Sequence, residues 1–176
     1  MSAPGVTDLS ELLRSMQPNL DTQTTYIYST ISFSSPHQTT LPYISADLPI
    51  EALIREAEGW TLITPSSSLK SHADFFIQHD QAADLHISTE RPQARWLFEY
   101  SKITLLVQSS LEAVGLTGAI CAALTPVGVS CNVVAGFYQD HIFVQRGDEE
   151  KAMAALGKLI REAGGEVGEG DLGRGS

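Results

Sequence analysis

Cysteine is scarce in this chain, with two in 176 residues, Cys121 and Cys131. They show neither a Cys-x-x-Cys nor a Cys/His spacing, so no zinc or dithiol motif is present. Cys121 falls in a helix-forming stretch and Cys131 on the inward side of the strand that follows. Both read as buried free thiols, because a disulfide would need a close approach of that helix and strand, in an oxidising compartment of which the chain gives no sign. Cations are scarce too: 11 Lys and Arg stand against 21 Asp and Glu, a net charge of −10. That balance excludes a nucleic-acid partner, which needs a basic surface, and disfavours an anionic membrane surface. No apolar run approaches transmembrane length, and the N-terminus lacks a basic-then-apolar leader. The expected location is cytoplasmic. A Walker or dinucleotide phosphate loop is missing, and no Ser or Cys stands in a nucleophile elbow. No cofactor, metal or catalytic residue is therefore predicted.

What the chain does have is a hydrophobic fraction of 43%, enough for a real core in one domain or two small intertwined ones. The clearest pattern lies between Lys102 and Ala163. Ile103, Leu105 and Val107 alternate with Lys102, Thr104 and Gln108, which predicts a strand that begins as early as residue 95. A polar turn follows from Ser109 to Gly115. Leu116, Ala119, Ile120, Ala123 and Leu124 recur at helical spacing until Pro126 and Gly128 stop them. Val129, Cys131, Val133 and Ala135 predict a second strand, joined through Gln139-Asp140 to a third at 142–144 as a hairpin. The last helix has Asp148, Glu149 and Glu150 at its positive end and Lys158 and Arg161 at the other. Ala152, Ala155, Leu156, Leu159 and Ile160 form its buried stripe, and Gly164-Gly165 end it.

This order, β-α-β-β-α, is a ferredoxin-like βαββαβ unit short of one strand. The residues also carry a resemblance. Ser109 to Thr117, Gly128 to Tyr138 and Asp140 to Val144 together resemble the ACT domain, and in particular a small group of two-part ACT proteins of undefined role. The first half is similar to the same group through Thr7-Asp8-Leu9, Met16-Gln17-Pro18 and Arg55 to Leu62. The resemblance implies an α+β fold in which two ACT-like units share strands, with helices on one face of an antiparallel sheet. The chain divides into an N-terminal half at 1–94 and a C-terminal ACT domain at 95–163, with 94/95 a boundary of convenience, and its composition makes 164–176 a flexible, acidic, Gly-rich tail.

Within the first half, Asp8 and Glu11 form a capping box ahead of a short helix with Leu9, Leu12, Leu13 and Met16 on one side, ended by Pro18. Residues 25–33 are β-branched and aromatic and predict a strand. Residues 34–46 read as a loop. Asp47 as N-cap and Pro49 open a second helix, with Ile50, Leu53, Ile54 and Ala57 as its buried face and Gly59 as its stop. Residues 60–64 predict another strand, Ser66 a helical turn with Leu69 and Ala73, and 78–94 an exposed loop. The tail after Ala163 has too few apolar residues for a strand. The missing fourth strand must then come from the first half, from 26–33 or 60–65, so the halves share a sheet.

The turn from Ser109 to Thr117 is the candidate site. It leads into a helix N-terminus, whose free N–H groups and dipole suit a carboxylate. Ser109, Ser110 and Thr117 add hydroxyls, Gly115 permits close approach, and Leu116 begins the helix. Glu112 suits an ammonium group, and Asn132 on the adjacent strand suits an amino-acid backbone. The resemblance implies the same place, with an amino acid held against a partner domain. The alternative is that the hydroxyls only cap the helix and Gly115 only shapes the turn. His79, Asp80, Asp84 and His86 lack metal-site spacing and read as a solvated loop. Asp140-His141 reads as turn chemistry; similar sequences have a further histidine where this chain has Gln139.

The function expected is a non-catalytic regulatory protein that binds a small ligand, an amino acid, and signals its state to a partner, as a homodimer or with a regulated enzyme. The alternatives are an assembly subunit without a ligand and a small accessory enzyme of a biosynthetic pathway.

Overall fold

A computed structural model describes residues 6–33, 44–78, 94–107 and 113–167. Its secondary elements are α1 (Leu9–Ser15), β1 (Gln17–Ser32), β2 (Ala52–Arg55), β3 (Gly59–Pro65), α2 (Ser68–Ser71), β4 (Phe76–Gln78), β5 (Ala94–Leu106), α3 (Leu116–Leu124), β6 (Cys131–Ala135), β7 (Asp140–Gln145) and α4 (Glu149–Glu162). They group into two units, one of residues 1–23 and 101–176 and the other of 24–100. The long strands β1 and β5 each give residues to both units. The fold is α+β, with two ferredoxin-type units that share strands.

In the first of these units the hydrogen-bonded strand order is β1-β5-β7-β6. The β6–β7 hairpin is antiparallel, from Cys131 opposite Val144 to Ala135 opposite Asp140. Alternation places Ile103 and Leu105 of β5 and Ile142 and Val144 of β7 in one core with Leu116, Ile120 and Leu124 of α3 and Ala152, Leu156 and Ile160 of α4. Leu12 of α1 and Met16 close it, both fully buried. As expected, Asp8 caps α1, its carboxylate accepting the Glu11 N–H at 2.9 Å. At the end of α4, Gly164 takes φ +82° and the Gly165 N–H donates to the Ile160 carbonyl at 2.9 Å. Only glycine takes that conformation cheaply.

The fourth strand of this unit is β1. Residues 26–32 of the expected segment do lie on β1, but the strand starts at Gln17, and it is residues 17–23 that group with the end of β5 and with β7 and β6. The helix stops ahead of Pro18, with Met16 as its C-cap, and Pro18 occupies the second position of the strand, where its missing N–H is tolerated.

The other unit pairs β1 with β3 antiparallel, from Tyr26 opposite Pro65 to Ser32 opposite Gly59. Ile27, Ile31, Leu48, Leu62, Phe76 and Ala94 form its core. Here the expected helix after Asp47 is absent. Residues 52–55 are a strand paired antiparallel with β3, Ala52 opposite Ile63 and Arg55 opposite Trp60. Two observations give the reason. The Asp47 carboxylate is engaged by the Ser45 hydroxyl and lies 3.4 Å from His72, so it caps nothing. The Glu51 N–H donates to the Ile63 carbonyl at 2.8 Å, which starts the ladder. Ladder pairing outweighs helical spacing here. Ile50, Leu53 and Ile54 are then exposed rather than buried. Gly59 is no helix stop: a Cβ there would overlap the Ile31 carbonyl oxygen across the strands. The short helix expected after Ser66 is present as α2, and β4 follows it, parallel to β5.

Candidate functional site

The α3 turn is built by one glycine. Gly115 is the N-cap of α3 at φ +100°, and among the described residues no side chain caps this end. Its carbonyl accepts the Ala119 N–H at 2.9 Å and starts the helix. A Cβ on Gly115 would lie 3.0 Å from Leu9 Cδ2, so both the backbone conformation and the neighbouring side chain favour glycine. Leu116 is buried at 5% exposure and anchors the first turn in the core. Thr117, next along, is exposed. The first-turn N–H groups have no intrahelical partner, as in any helix, and the dipole adds partial positive charge there.

Of the residues expected at the site, Gly115, Leu116 and Thr117 thus form one continuous turn. Ser109, Ser110 and Glu112 lie outside the described residues. Asn132 is exposed on β6, opposite Phe143 of β7. Alternation puts it on the other face of the sheet from Cys131, whose Sγ meets Cys121 of α3 at 3.9 Å. The structure accordingly does not bring the Asn132 side chain to the face that carries α3.

Sequence reasoning missed Leu9. Its place in the apolar stripe of α1 was evident, but nothing local shows that it lies against Gly115, a hundred residues later. The exposed pair Phe137 and Tyr138 at the β6–β7 turn also went unremarked as a surface feature; they are 74% and 80% exposed, their ring centroids 5.1 Å apart.

The His79, Asp80, Asp84 and His86 set lies outside the described residues. Among the described residues no group of three or more His, Cys, Asp or Glu is arranged to hold a metal. His141 Nδ1 lies 3.0 Å from the Thr104 hydroxyl of β5, on the face away from α3. A histidine seated beside the strand fits that contact. Among the described residues no helix is long and apolar enough to cross a membrane.

The sequence profile of the ACT domain matches residues 4–73, and a second ACT domain profile matches 98–158. A Vibrio cholerae protein of unknown function, described as a possible transport protein, shares 31% identity, with 89% of this chain and 98% of that one covered and a TM-score of 0.61. The aspartokinase alpha and beta subunit structure has the same fold at 13% identity and a TM-score of 0.59, with 82% of this chain and 97% of that chain covered. So does the regulatory subunit of aspartate kinase from Thermus thermophilus, at 13% identity and a TM-score of 0.55, covering 81% and 97%. No curated protein matches the sequence. The chain belongs to the ACT domain family and carries two ACT domains in tandem.

Proposed function

We propose that this is a regulatory ACT protein that binds a small ligand, an amino acid, at the turn that opens α3. The observation that carries the reading is the N-terminus of α3: glycine-led, without a side-chain cap among the described residues, anchored by buried Leu116 and followed by exposed Thr117. A ligand carboxylate would accept the first-turn N–H groups, with the Thr117, Ser109 and Ser110 hydroxyls beside it and Glu112 for the ammonium group. Asn132, on the opposite face of the sheet, is not part of this site. Signalling needs only that two packings differ in affinity for the ligand, so that binding shifts their balance and a partner enzyme senses the shift. The protein would act in the cytoplasm.

A thermal-shift screen against the twenty standard amino acids tests this. At a hundred times its dissociation constant a ligand should stabilise the fold by about 2.7 kcal/mol, a rise of several degrees. Thr117→Val should weaken that shift while leaving the ligand-free melting temperature nearly unchanged. No shift with any amino acid would sink the reading.

A second reading, an assembly subunit without a ligand, is favoured by one observation. Strand β2 and the segment leading into it leave Ile50, Leu53 and Ile54 at 39%, 36% and 45% exposure. Exposed apolar edges invite pairing with another chain. Leu53→Lys with Ile54→Lys should then lower the sedimenting mass, and an unchanged mass would count against it.

A further inference from the structure

Cys121 and Cys131 are both free and both half-buried, and their sulfurs lie 3.9 Å apart. Several bonds hold them in that position. The Thr125 hydroxyl donates to the Cys121 carbonyl at 2.7 Å and pins the last turn of α3. In the connection to β6 the Gly128 N–H donates to the Thr125 carbonyl at 3.0 Å and the Val129 N–H to the Leu124 carbonyl at 3.2 Å. Gly128 at φ +71° turns the chain. On β6, Cys131 is fixed by the ladder opposite Val144, and its side chain packs against the core beneath α3. A disulfide sulfur–sulfur bond is about 2.0 Å long, so closure needs each sulfur to move by roughly 1 Å, which a χ1 rotation of about 35° in each side chain supplies.

We propose that Cys121 and Cys131 are a dithiol modification site that closes reversibly to a disulfide, with a low-molecular-weight disulfide as the oxidant. The Cys121 thiolate attacks one sulfur of the reagent, forming a mixed disulfide and releasing one reagent thiolate. That thiolate takes up the proton lost by Cys131. The Cys131 sulfur then attacks Cys121 Sγ and expels the second reagent thiolate, which is protonated by solvent. Two protein thiols are oxidised to one disulfide, and one reagent disulfide is reduced to two thiols. Burial, with Cys121 beside it, pushes the Cys131 thiol up, which suits Cys131 to the second, intramolecular step. That step gains from proximity, since the two sulfurs are already in contact. Closure would staple α3 to β6. The bond stands on this geometry whether or not the α3 turn binds a ligand.

The test uses the full chain, reduced and then exposed to excess glutathione disulfide at mildly alkaline pH. Intact mass should fall by two hydrogens, both thiols should resist alkylation, and a digest should give one peptide pair that joins Cys121 to Cys131. Dithiothreitol should reverse all three. The oxidised form should melt roughly 5 °C higher than the reduced form. Cys131→Ser should stop at one glutathione on Cys121. The proposal is overturned if both thiols of the folded protein remain alkylatable after treatment that oxidises them in urea. It is equally overturned if the wild type accumulates mixed disulfides that never close.

Discussion

The same substitution, glycine to alanine, should have opposite effects at two positions. At Gly59, the first residue of β3, an added Cβ would overlap the Ile31 carbonyl oxygen and come within 3.0 Å of the Ile31 carbonyl carbon and Ser32 Cα. All three atoms belong to the β1 backbone, so no side chain can swing away. The strands must part at this end, where the Phe33 N–H donates to the Glu58 carbonyl at 2.9 Å. Overpacking of this kind costs about 1–3 kcal/mol and a lost hydrogen bond about 1 kcal/mol, so Gly59→Ala should cost roughly 2–4 kcal/mol and lower the melting temperature by about 4–16 °C. At Gly118, in α3, an added Cβ meets nothing within 4 Å. Alanine there should stabilise the protein by about 0.5 kcal/mol, because it restricts the unfolded chain and favours the helix. Urea titration followed by far-ultraviolet circular dichroism reads both variants, and the fluorescence of Trp60, next to Gly59, gives a local probe. If Gly59→Ala were neutral within 0.5 kcal/mol, the close approach of β1 and β3 would be wrong and the helix-stop role read from the sequence would regain its force.

Two further substitutions probe the unit that carries the candidate site. Leu156 of α4 is fully buried, and Leu156→Ala should cost about 2–5 kcal/mol in urea unfolding; a loss under 1 kcal/mol would contradict its placement. For Glu149, burial raises the carboxyl pKa, but the Ser101 hydroxyl, the backbone N–H groups of Glu149 and Gly147 and the nearby Arg146 outweigh it and hold the group below its ordinary 4.5. A carboxyl depressed in the folded state stabilises fully above its unfolded value, and that contribution disappears as pH falls through the folded value. Glu149→Gln should flatten the acid limb of melting temperature against pH below about 4.5, and an unchanged limb would count against the Ser101 contact at 2.6 Å.

The second half of the chain was legible because its patterns are local and agree with its packing. Ile103 and Leu105 alternate and are buried; Ile120, Leu124, Leu156 and Ile160 recur at helical spacing and are buried as well. Residues 52–55 were misread for a physical reason. Ile50, Leu53, Ile54 and Ala57 fall at i, i+3, i+4 and i+7, the signature of an amphipathic helix, yet this apolar set is not buried, and the ladder with β3 decides the conformation. The start of β1 has no strand pattern of its own, since Asn19, Asp21, Thr22 and Gln23 are polar; only pairing makes it a strand. At the site, the glycine and the helix start could be read directly. The contact of Leu9 with Gly115, the approach of Cys121 to Cys131 and the face on which Asn132 stands depend on tertiary packing and the exact strand register.

The division of the chain carries the last prediction. The two ACT matches are consecutive in sequence, 4–73 and 98–158, whereas the packed units are interleaved, with residues 1–23 grouped with 101–176. A fragment spanning 95–176 would keep α3, β6, β7 and α4 but lose α1 and β1. Leu12 and Met16, both at 0% exposure, would leave the core they share with Ile103, Leu105 and Leu156. Each fully buried side chain of that size contributes about 1.5–3 kcal/mol, and β5 would also lose a hydrogen-bonded neighbour. Against a total stability of about 5–15 kcal/mol that loss is decisive. The fragment should lack a cooperative melt and bind a hydrophobic dye. A permuted chain that carries residues 6–23 after residue 167, through a short Gly/Ser linker, should recover the melt, because Gly165 already lies against the Arg14 carbonyl. If 95–176 alone melts cooperatively at the full-length temperature, the first 23 residues are an accessory and the interleaving has no energetic weight. If neither fragment nor permuted chain folds, the unit depends on residues 24–100 as well, and the two ACT domains make a single cooperative fold.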